Sequence, residues 1–226
     1  MRLLIALAVL PAAFLIWYVY EKDTVEKEPF ALLAKLFLFA VATMGGVVVA
    51  ELVLGGIIGV AVGNENVLFH LLENFVGVAL IEEGAKYLVV YAETWKSKEF
   101  NYLFDGIVYG VVASLGFATV ENVLYVIQGG VGVAFFRAIL SVPSHAIDGV
   151  FMGYFYGLAK RADMLGDAST RKLNLVLALV VPVLLHGTYD FLLSIEAIPV
   201  FLLFEIVIVI LAVVHVNRMS KEAEPL

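Results

Sequence analysis

Two adjacent glutamates and a lysine interrupt a stretch of sequence that is otherwise apolar. Glu82, Glu83 and Lys86 lie within the hydrophobic run from residue 67 to 92. On a helix the lysine is three or four positions from each glutamate, so it can neutralise one of them. An ionisable side chain inside a membrane span costs roughly 3 kcal/mol on insertion scales and usually marks a functional site. An ion pair that only joins two helices is the alternative, and this stretch alone does not exclude it.

Three further polar groups occur inside later apolar stretches. Glu121 lies late in the fourth stretch, His145 precedes Asp148 by three positions, and His186 precedes Asp190 by four. Residues at the latter two spacings share one face of a helix. Counted at about 1.5 Å per residue, all four groups lie between the middle and the outer half of the bilayer. We therefore expect side chains from four helices to meet in one polar pocket.

These residue types could activate water for hydrolysis. A buried carboxylate can act as a general base, and histidine can polarise a carbonyl, donate to an oxyanion or bind a metal. An aspartate on the same helix face can orient a histidine ring. The sequence contains no cysteine, no Gly-x-Ser-x-Gly and no His-Glu-x-x-His, so the usual nucleophile and zincin motifs are absent.

The composition is that of an integral membrane protein. Apolar residues make up 62% of the 226 residues, and the mean hydropathy is +0.99. Soluble domains are about 45–50% apolar. The lack of cysteine excludes disulfides and thiol ligands. A net charge of -7 and the lack of a basic patch argue against nucleic acid as a partner.

Seven apolar segments predict an all-α, polytopic membrane protein with about seven transmembrane helices in one bundle. Each segment is near or above the roughly 20 residues that cross a hydrocarbon core. The segments are about 2–20, 30–53, 67–92, 102–127, 132–160, 172–194 and 197–217. We expect a single membrane domain over 1–217 and a short cytoplasmic tail over 218–226. The glycine-rich residues 55–66 are compatible with a loop, a re-entrant turn or an unwound helix end.

The basic residues predict the orientation of the chain. Lys and Arg flank the first, third and fifth connections and the C-terminal tail, whereas the second, fourth and sixth connections contain none. Because Lys and Arg are enriched on the cytoplasmic side, the N-terminus should lie outside and the C-terminus in the cytoplasm. This orientation requires an odd number of spans.

The polar groups, taken in order, resemble the motifs of the PrsW family of intramembrane proteases, relatives of the type II CAAX prenyl endopeptidases. The motifs are Glu82-Glu83-x-x-Lys86, Phe117-x-x-x-Glu121, and two histidine groups that begin at His145 and His186. Further matching residues are Pro11, Tyr18, Asp23, the Glu28-Pro29 pair and residues 105–110. The resemblance extends from about residue 11 to 190, with its motifs in the expected order.

The resemblance implies an endopeptidase that cleaves a peptide bond of a membrane-anchored protein within or beside the bilayer of a prokaryotic plasma membrane. By analogy its substrate would be a single-span regulatory protein. The candidate catalytic residues are Glu82, Glu83, Lys86, Glu121, His145, His186 and Asp190.

Two mechanisms remain open for this site. In one, His145 and His186 hold a zinc ion with an open position, and the third ligand is Glu121, Glu82 or Asp190. One of the paired glutamates, Glu83 or Glu82, is then the base. In the other no metal is bound: Glu82 activates water with the help of His145, while His186 and Asp190 stabilise the oxyanion.

Two non-enzymatic functions are the alternatives. A membrane scaffold could keep the fold without catalysis, although retention of both Glu82 and Glu83 argues against this. A proton- or ion-coupled carrier also uses buried Glu, His and Asp side chains, and Glu51 and Glu205 keep this alternative open. Carriers often show inverted repeats, which this sequence lacks.

Overall fold

The computed structural model describes residues 2–64, 66–222 and 226, and within these residues the chain forms helices and no β-strand. A short π-helical segment, Glu73–Ala79, joins α3 to α4 without a break, so residues 67–94 form one continuous helical rod. The α-helices are α1 (Arg2–Lys22), α2 (Phe30–Val62), α3 (Val67–Leu72), α4 (Leu80–Thr94), α5 (Leu103–Ile139), α6 (Ser141–Met164), α7 (Ala168–Ser194) and α8 (Ile198–Glu222).

This architecture confirms an all-α, polytopic membrane protein. Five helical stretches in the described part of the chain are long and apolar enough to cross a membrane. They are Arg2–Lys22, Phe30–Val62, Leu103–Met164, Ala168–Ser194 and Ile198–Lys221. The expected number of seven transmembrane helices is therefore not confirmed. Helices α5 and α6 form one of the five stretches, and the rod over 67–94 is not among them.

Helix α5 is the centre of the bundle. Residues 103–119 are all buried, and α5 packs against α1, α2, α4 and α6. Its surroundings are apolar, whereas α2 and α8 expose large aliphatic side chains such as Leu52 and Leu203. Aliphatic side chains of this kind suit a surface that faces lipid. The buried polar side chains of the bundle lie inside it, away from this surface.

Glycine residues bring α5 and α6 into backbone contact. A Cβ atom on Gly153 would lie 2.1 Å from the Gly106 carbonyl oxygen, and one on Gly110 would lie 2.2 Å from the Gly149 carbonyl oxygen. Small residues at four-residue spacing allow membrane helices to approach this closely. Since His145 is one turn before Gly149, this contact sets the distance of His145 from α5.

The boundary expected between the fourth and fifth segments, at residues 128–131, coincides with an interruption of α5 at Gly130, but the fifth segment is not continuous. Residues 132–160 do not form one helix, because the chain breaks at Leu140 and α6 begins at Ser141. Gly130, with φ 74° and ψ -159°, interrupts α5 in a region that essentially only glycine occupies. Residues 131–139 therefore change direction at Gly130 and lie beside the earlier part of α5.

The glycine-rich residues 55–66 mostly continue α2, which ends at Val62 with Gly63 at a φ of 79°. Asn66 then caps α3, because its side chain accepts a hydrogen bond from the backbone N–H of Phe69. Helix α7 is also capped at its N-terminus. The carboxyl group of Asp167 accepts hydrogen bonds in the first turn of α7, and these hydrogen bonds lower its pKa.

Candidate active site

The candidate site lies in a cavity of about 800 Å³ between α2, the rod over 67–94, α5, α6 and α7. Polar side chains from all of these elements line it, with apolar residues such as Met44 and Leu124 between them. The polar lining consists of Glu51, Asn74, Glu82, Glu121, Tyr125, Arg137, Ser141, Ser144, His145, Asp148, His186, Tyr189, Asp190 and Ser194.

Lys86 joins the paired glutamates to the first histidine. Its Nζ atom lies 3.0 Å from Glu82 Oε2, 2.7 Å from Glu83 Oε1 and 3.3 Å from His145 Nδ1. The same ammonium group lies 4.4 Å from the centre of the Phe117 ring, a cation–π contact. Lys86 and Glu83 are fully buried, whereas the Glu82 side chain is 8% exposed and reaches the cavity.

His186 is held between two carboxylates. Its Nδ1 atom lies 2.9 Å from Glu83 Oε1, and its Nε2 atom lies 3.1 Å from Asp190 Oδ2. The ring is perpendicular to that of His145, with 5.3 Å between the ring centres. Because ionised carboxylates only accept hydrogen bonds, this arrangement is satisfied by a His186 that donates from both ring nitrogens.

Glu121 connects His145 to the short helical stretch after Gly130. Its Oε2 atom lies 2.9 Å from His145 Nε2 and 2.9 Å from Arg137 Nη2. Arg137 Nε also donates to Asn122 Oδ1 at 2.8 Å. In a straight helix, Glu121 and Arg137 would be about 24 Å apart, so the reversal at Gly130 is what brings the guanidinium group to the site.

Two local features place the residues of the rod and of α7. The π-helical segment over 73–79 ends three residues before Glu82, and such segments are frequent at functional sites because they rotate the side chains that follow. A Cβ atom on Gly187 would lie 2.5 Å from the Phe75 ring. The glycine next to His186 therefore allows α7 to pack closely against the π-helical segment.

The donor atoms at this site fit a metal ion by type and spacing. Two imidazoles and two carboxylates each offer one ligand atom within 4.8 Å of the others, and all four residues are buried. They are Glu82, Glu83, His145 and His186. A metal here would replace the contacts that Lys86 makes with three of them. Glu121 is outside this group, since its Oε2 atom pairs with His145 and Arg137.

The structure brings all seven candidate residues named from the sequence into one connected set, and their catalytic roles stay predictions. Glu51, Arg137 and Asp148 also line the cavity. The sequence placed Asp148 among the polar groups of the pocket without a catalytic role, named Glu51 only for the carrier alternative, and did not single out Arg137. Oδ1 of Asp148 and Oε1 of Glu51 are buried without a hydrogen-bond partner. Arg137 had a signal in the sequence, because it is the one charged residue in the apolar stretch 131–140.

Comparison with known proteins shows one consistent similarity. The sequence pattern of the PrsW family intramembrane metalloproteases matches residues 28–216. Protease PrsW of Geobacillus kaustophilus strain HTA426 is 38% identical over 192 residues, which cover 84% of this chain and 79% of that protein. Protease PrsW of Bacillus subtilis strain 168 is 37% identical over 195 residues, covering 84% of this chain and 83% of that protein.

A more distant relative extends the similarity over nearly the whole chain. Protease PrsW of Clostridioides difficile strain 630 is 31% identical over 222 residues, which cover 96% of this chain and 90% of that protein. No solved structure gives a significant match. The similarity to proteins named as proteases does not favour the scaffold or carrier alternatives.

Proposed function

We propose a catalytic assignment for this chain from the premise that it belongs to the PrsW family of intramembrane metalloproteases. A member of this family is a membrane-embedded hydrolase that cleaves peptide bonds. The observation that carries the assignment is the buried group of Glu82, Glu83, Lys86, His145 and His186 beside a cavity of about 800 Å³.

Glu82 is the general base in this proposal, and Glu83 is a positioning residue. Glu82 reaches the cavity, where substrate and water would bind. Glu83 is fully buried, and its Oε1 atom holds both Lys86 and His186. In this proposal Glu82 faces the reacting water, and Glu83 fixes the positions of Lys86 and His186.

The histidines and their carboxylate partners bind and orient the scissile peptide. Without a metal, His186, between Glu83 and Asp190, is placed to donate a hydrogen bond to the developing oxyanion when its contact with one carboxylate opens. With zinc bound, one of its ring nitrogens is a ligand instead and carries no proton. His145 helps Glu82 through Lys86, which contacts both residues. Glu121 and Arg137 hold the His145 ring from the other side.

Zinc is the metal we propose for this site. His145 and His186 would supply two nitrogen ligands and Glu83 a carboxylate oxygen, a donor set typical of catalytic zinc, which leaves Glu82 as the base. When bound, the ion would polarise the scissile carbonyl and make its bound water more acidic. Release of the Lys86 contacts is then part of metal binding.

The proposed substrate is a single-span, membrane-anchored regulatory protein. We propose a single membrane domain over 1–217 with a cytoplasmic tail over 218–226, in a prokaryotic plasma membrane. The N-terminus lies outside in this arrangement, which the segregation of Lys and Arg supports.

The test is proteolysis by the full chain reconstituted in liposomes with single-span substrates. Glu82→Gln keeps the size of the side chain and removes the base, so the cleavage rate should fall by about 10²–10⁴-fold. The matched control is Glu93→Gln on the same helix, because Glu93 pairs with Lys35 and does not line the cavity. Normal cleavage by folded Glu82→Gln and Glu83→Gln enzymes would refute the assignment.

A further inference from the structure

A second group of buried carboxyls lies far from the cavity, around the start of α5. Asp23 and Glu28 belong to the connection between α1 and α2, and Asp105 lies in the first turn of α5. They are 3%, 3% and 0% exposed. Asp105 precedes Glu121 by about 24 Å along α5, so this group is separate from the proposed active site.

Each carboxyl is fixed by the protein, and two of the three leave an oxygen available. Asp105 Oδ2 accepts hydrogen bonds from the backbone N–H groups of Asn101 and Tyr102, while Asp105 Oδ1 is buried without a partner. Asp23 accepts from backbone N–H groups in its own turn, and its Oδ2 atom is also buried without a partner. Fully buried carboxylate oxygens without a donor are strongly unfavourable, and they indicate a ligand.

The side-chain amide oxygen of Asn101, near this group, is also buried without a hydrogen-bond partner. The side-chain Nδ2 of Asn101 donates to Glu26 Oε2, which fixes the amide. Glu28 Oε2 accepts from the hydroxyl group of Tyr109 at 2.7 Å. These two hydrogen bonds thus hold the side chains of Asn101 and Glu28 in place without a positively charged partner.

The charges around the group are mainly negative. The groups that act on Glu28 through space include Asp105, Asp23 and Glu99, all of them acidic. Lys27 acts on Asp23, but its ammonium group donates to the carbonyl oxygen of Tyr20 and lies over the Tyr20 ring. Burial raises the pKa of Glu28 to about 8 and that of Asp23 to about 6, so these clustered carboxyls hold protons unless a cation lies among them.

The spacing of the oxygens fits a hard divalent cation. One oxygen from each of Asp23, Glu28 and Asp105 lies within 4.8 Å of the others. Three points so arranged share a centre no more than about 2.8 Å from each, which is close to the 2.3–2.6 Å of Ca²⁺–oxygen contacts. This upper limit also admits the contacts of Mg²⁺ at about 2.0–2.1 Å, but Mg²⁺ demands near-ideal octahedral geometry and usually keeps several waters, so a set of buried protein carboxylates suits Ca²⁺ better.

We infer that Asp23, Glu28 and Asp105 form a divalent cation site, with Ca²⁺ preferred over Mg²⁺, that ties the α1–α2 connection to the start of α5. Carboxylate oxygens are the ligands that these ions prefer. The bound ion stabilises the native arrangement of α1, α2 and α5 at this end of the bundle. The site is separate from the catalytic group, whose imidazoles suit zinc rather than Ca²⁺.

The experiment measures Ca²⁺ and Mg²⁺ binding to the full chain in detergent after treatment with EDTA. We expect one saturable Ca²⁺ site per chain, weaker Mg²⁺ binding, and a melting temperature that rises with Ca²⁺ because the ion binds only the native state. Glu28→Gln and Asp23→Asn should each weaken Ca²⁺ binding by about tenfold or more, since affinity depends on ligand charge. Two single variants are used so that a fold defect in one does not decide the result.

Two controls separate this site from other acidic groups. Glu21→Gln changes an exposed glutamate at the end of α1, and it should leave Ca²⁺ binding unchanged. His145→Ala alters the catalytic group and should also leave Ca²⁺ binding unchanged. The inference is overturned if wild-type protein shows no saturable Ca²⁺ binding up to millimolar concentrations. It is also overturned if folded Asp23→Asn and Glu28→Gln variants bind Ca²⁺ with the wild-type affinity. A third contradicting outcome is that Glu21→Gln or His145→Ala lowers the Ca²⁺ affinity as much as Asp23→Asn and Glu28→Gln.

Discussion

Lys86 Nζ on α4 lies 3.3 Å from His145 Nδ1 on α6. A lysine ammonium group only donates hydrogen bonds, so Nδ1 accepts and the His145 proton is on Nε2, where it points to Glu121. The protonation of His145 is therefore fixed by groups on two other helices. This contact also links the paired glutamates of α4 to the histidine of α6.

Removal of the central ammonium group should destabilise the whole bundle. Lys86→Ala leaves Glu82 and Glu83 buried without their counter-charge, and breaking a buried ion pair in this way costs about 3–5 kcal/mol. We expect a large fall in melting temperature and loss of proteolysis together. Lys35→Ala is the control, because Lys35 is half exposed and pairs with Glu93 at the surface, where a pair contributes about 0–1 kcal/mol. Equal melting temperatures for Lys86→Ala and wild type would contradict the central role of this lysine.

Arg137 should act on catalysis through Glu121 and His145. Arg137→Met removes the guanidinium group that holds Glu121 Oε2, so His145 loses part of its orientation. Loss of such a supporting contact typically costs about 10–100-fold in activity. We expect the fall in kcat with little change in KM, and partial recovery in Arg137→Lys.

The matched control for this prediction is Arg171→Met. Arg171 pairs with Asp163 on a partly exposed surface and does not line the cavity, so its replacement should leave kcat unchanged. If Arg137→Met lowers the melting temperature but cleaves substrate at the wild-type rate, Arg137 is a structural residue only.

The glycine contact between α5 and α6 should be intolerant of even one methyl group. A Cβ atom on Gly153 would lie 2.1 Å from the backbone of Gly106, so Gly153→Ala forces the helices apart, and overpacking of this kind costs about 1–3 kcal/mol. Gly45→Ala is the control, since nothing lies within 4 Å of its Cβ position. Thermal unfolding in detergent compares the two; equal melting temperatures would show that the interface adapts.

Helical spacing predicted the residues that share a face but not their partners on other helices. The intervals from Glu82 to Lys86 and from His186 to Asp190 gave two contacts that the structure contains. The contact of His145 with Glu121 depends on the packing of α5 against α6, which residue spacing within one segment does not encode.

Two residues in the sequence indicate the interruptions of the chain near Gly130 and Leu140, although hydropathy does not detect them. Apolar residues precede Leu140, and residues 141–147 after it carry no Asp, Glu, Lys or Arg, so a hydropathy window reads through it. Pro143 favours the first turn of a new helix, and Gly130 permits the reversed backbone before it. The reversal at Gly130 places Arg137 beside Glu121, and the helix that follows is interrupted once more at Leu140.

Removal of the metal should separate the two mechanisms that the sequence left open. With zinc at the site, a strong chelator abolishes cleavage by the purified enzyme, and added zinc restores it. His186→Ala should lower the zinc content, measured by mass spectrometry, because the ion loses a nitrogen ligand. His215→Ala is the control, since His215 packs against Tyr154 and does not line the cavity; its zinc content should match wild type. If metal-free enzyme cleaves substrate at the full rate while Glu82→Gln remains inactive, the zinc assignment is wrong and Glu82 activates water without a metal.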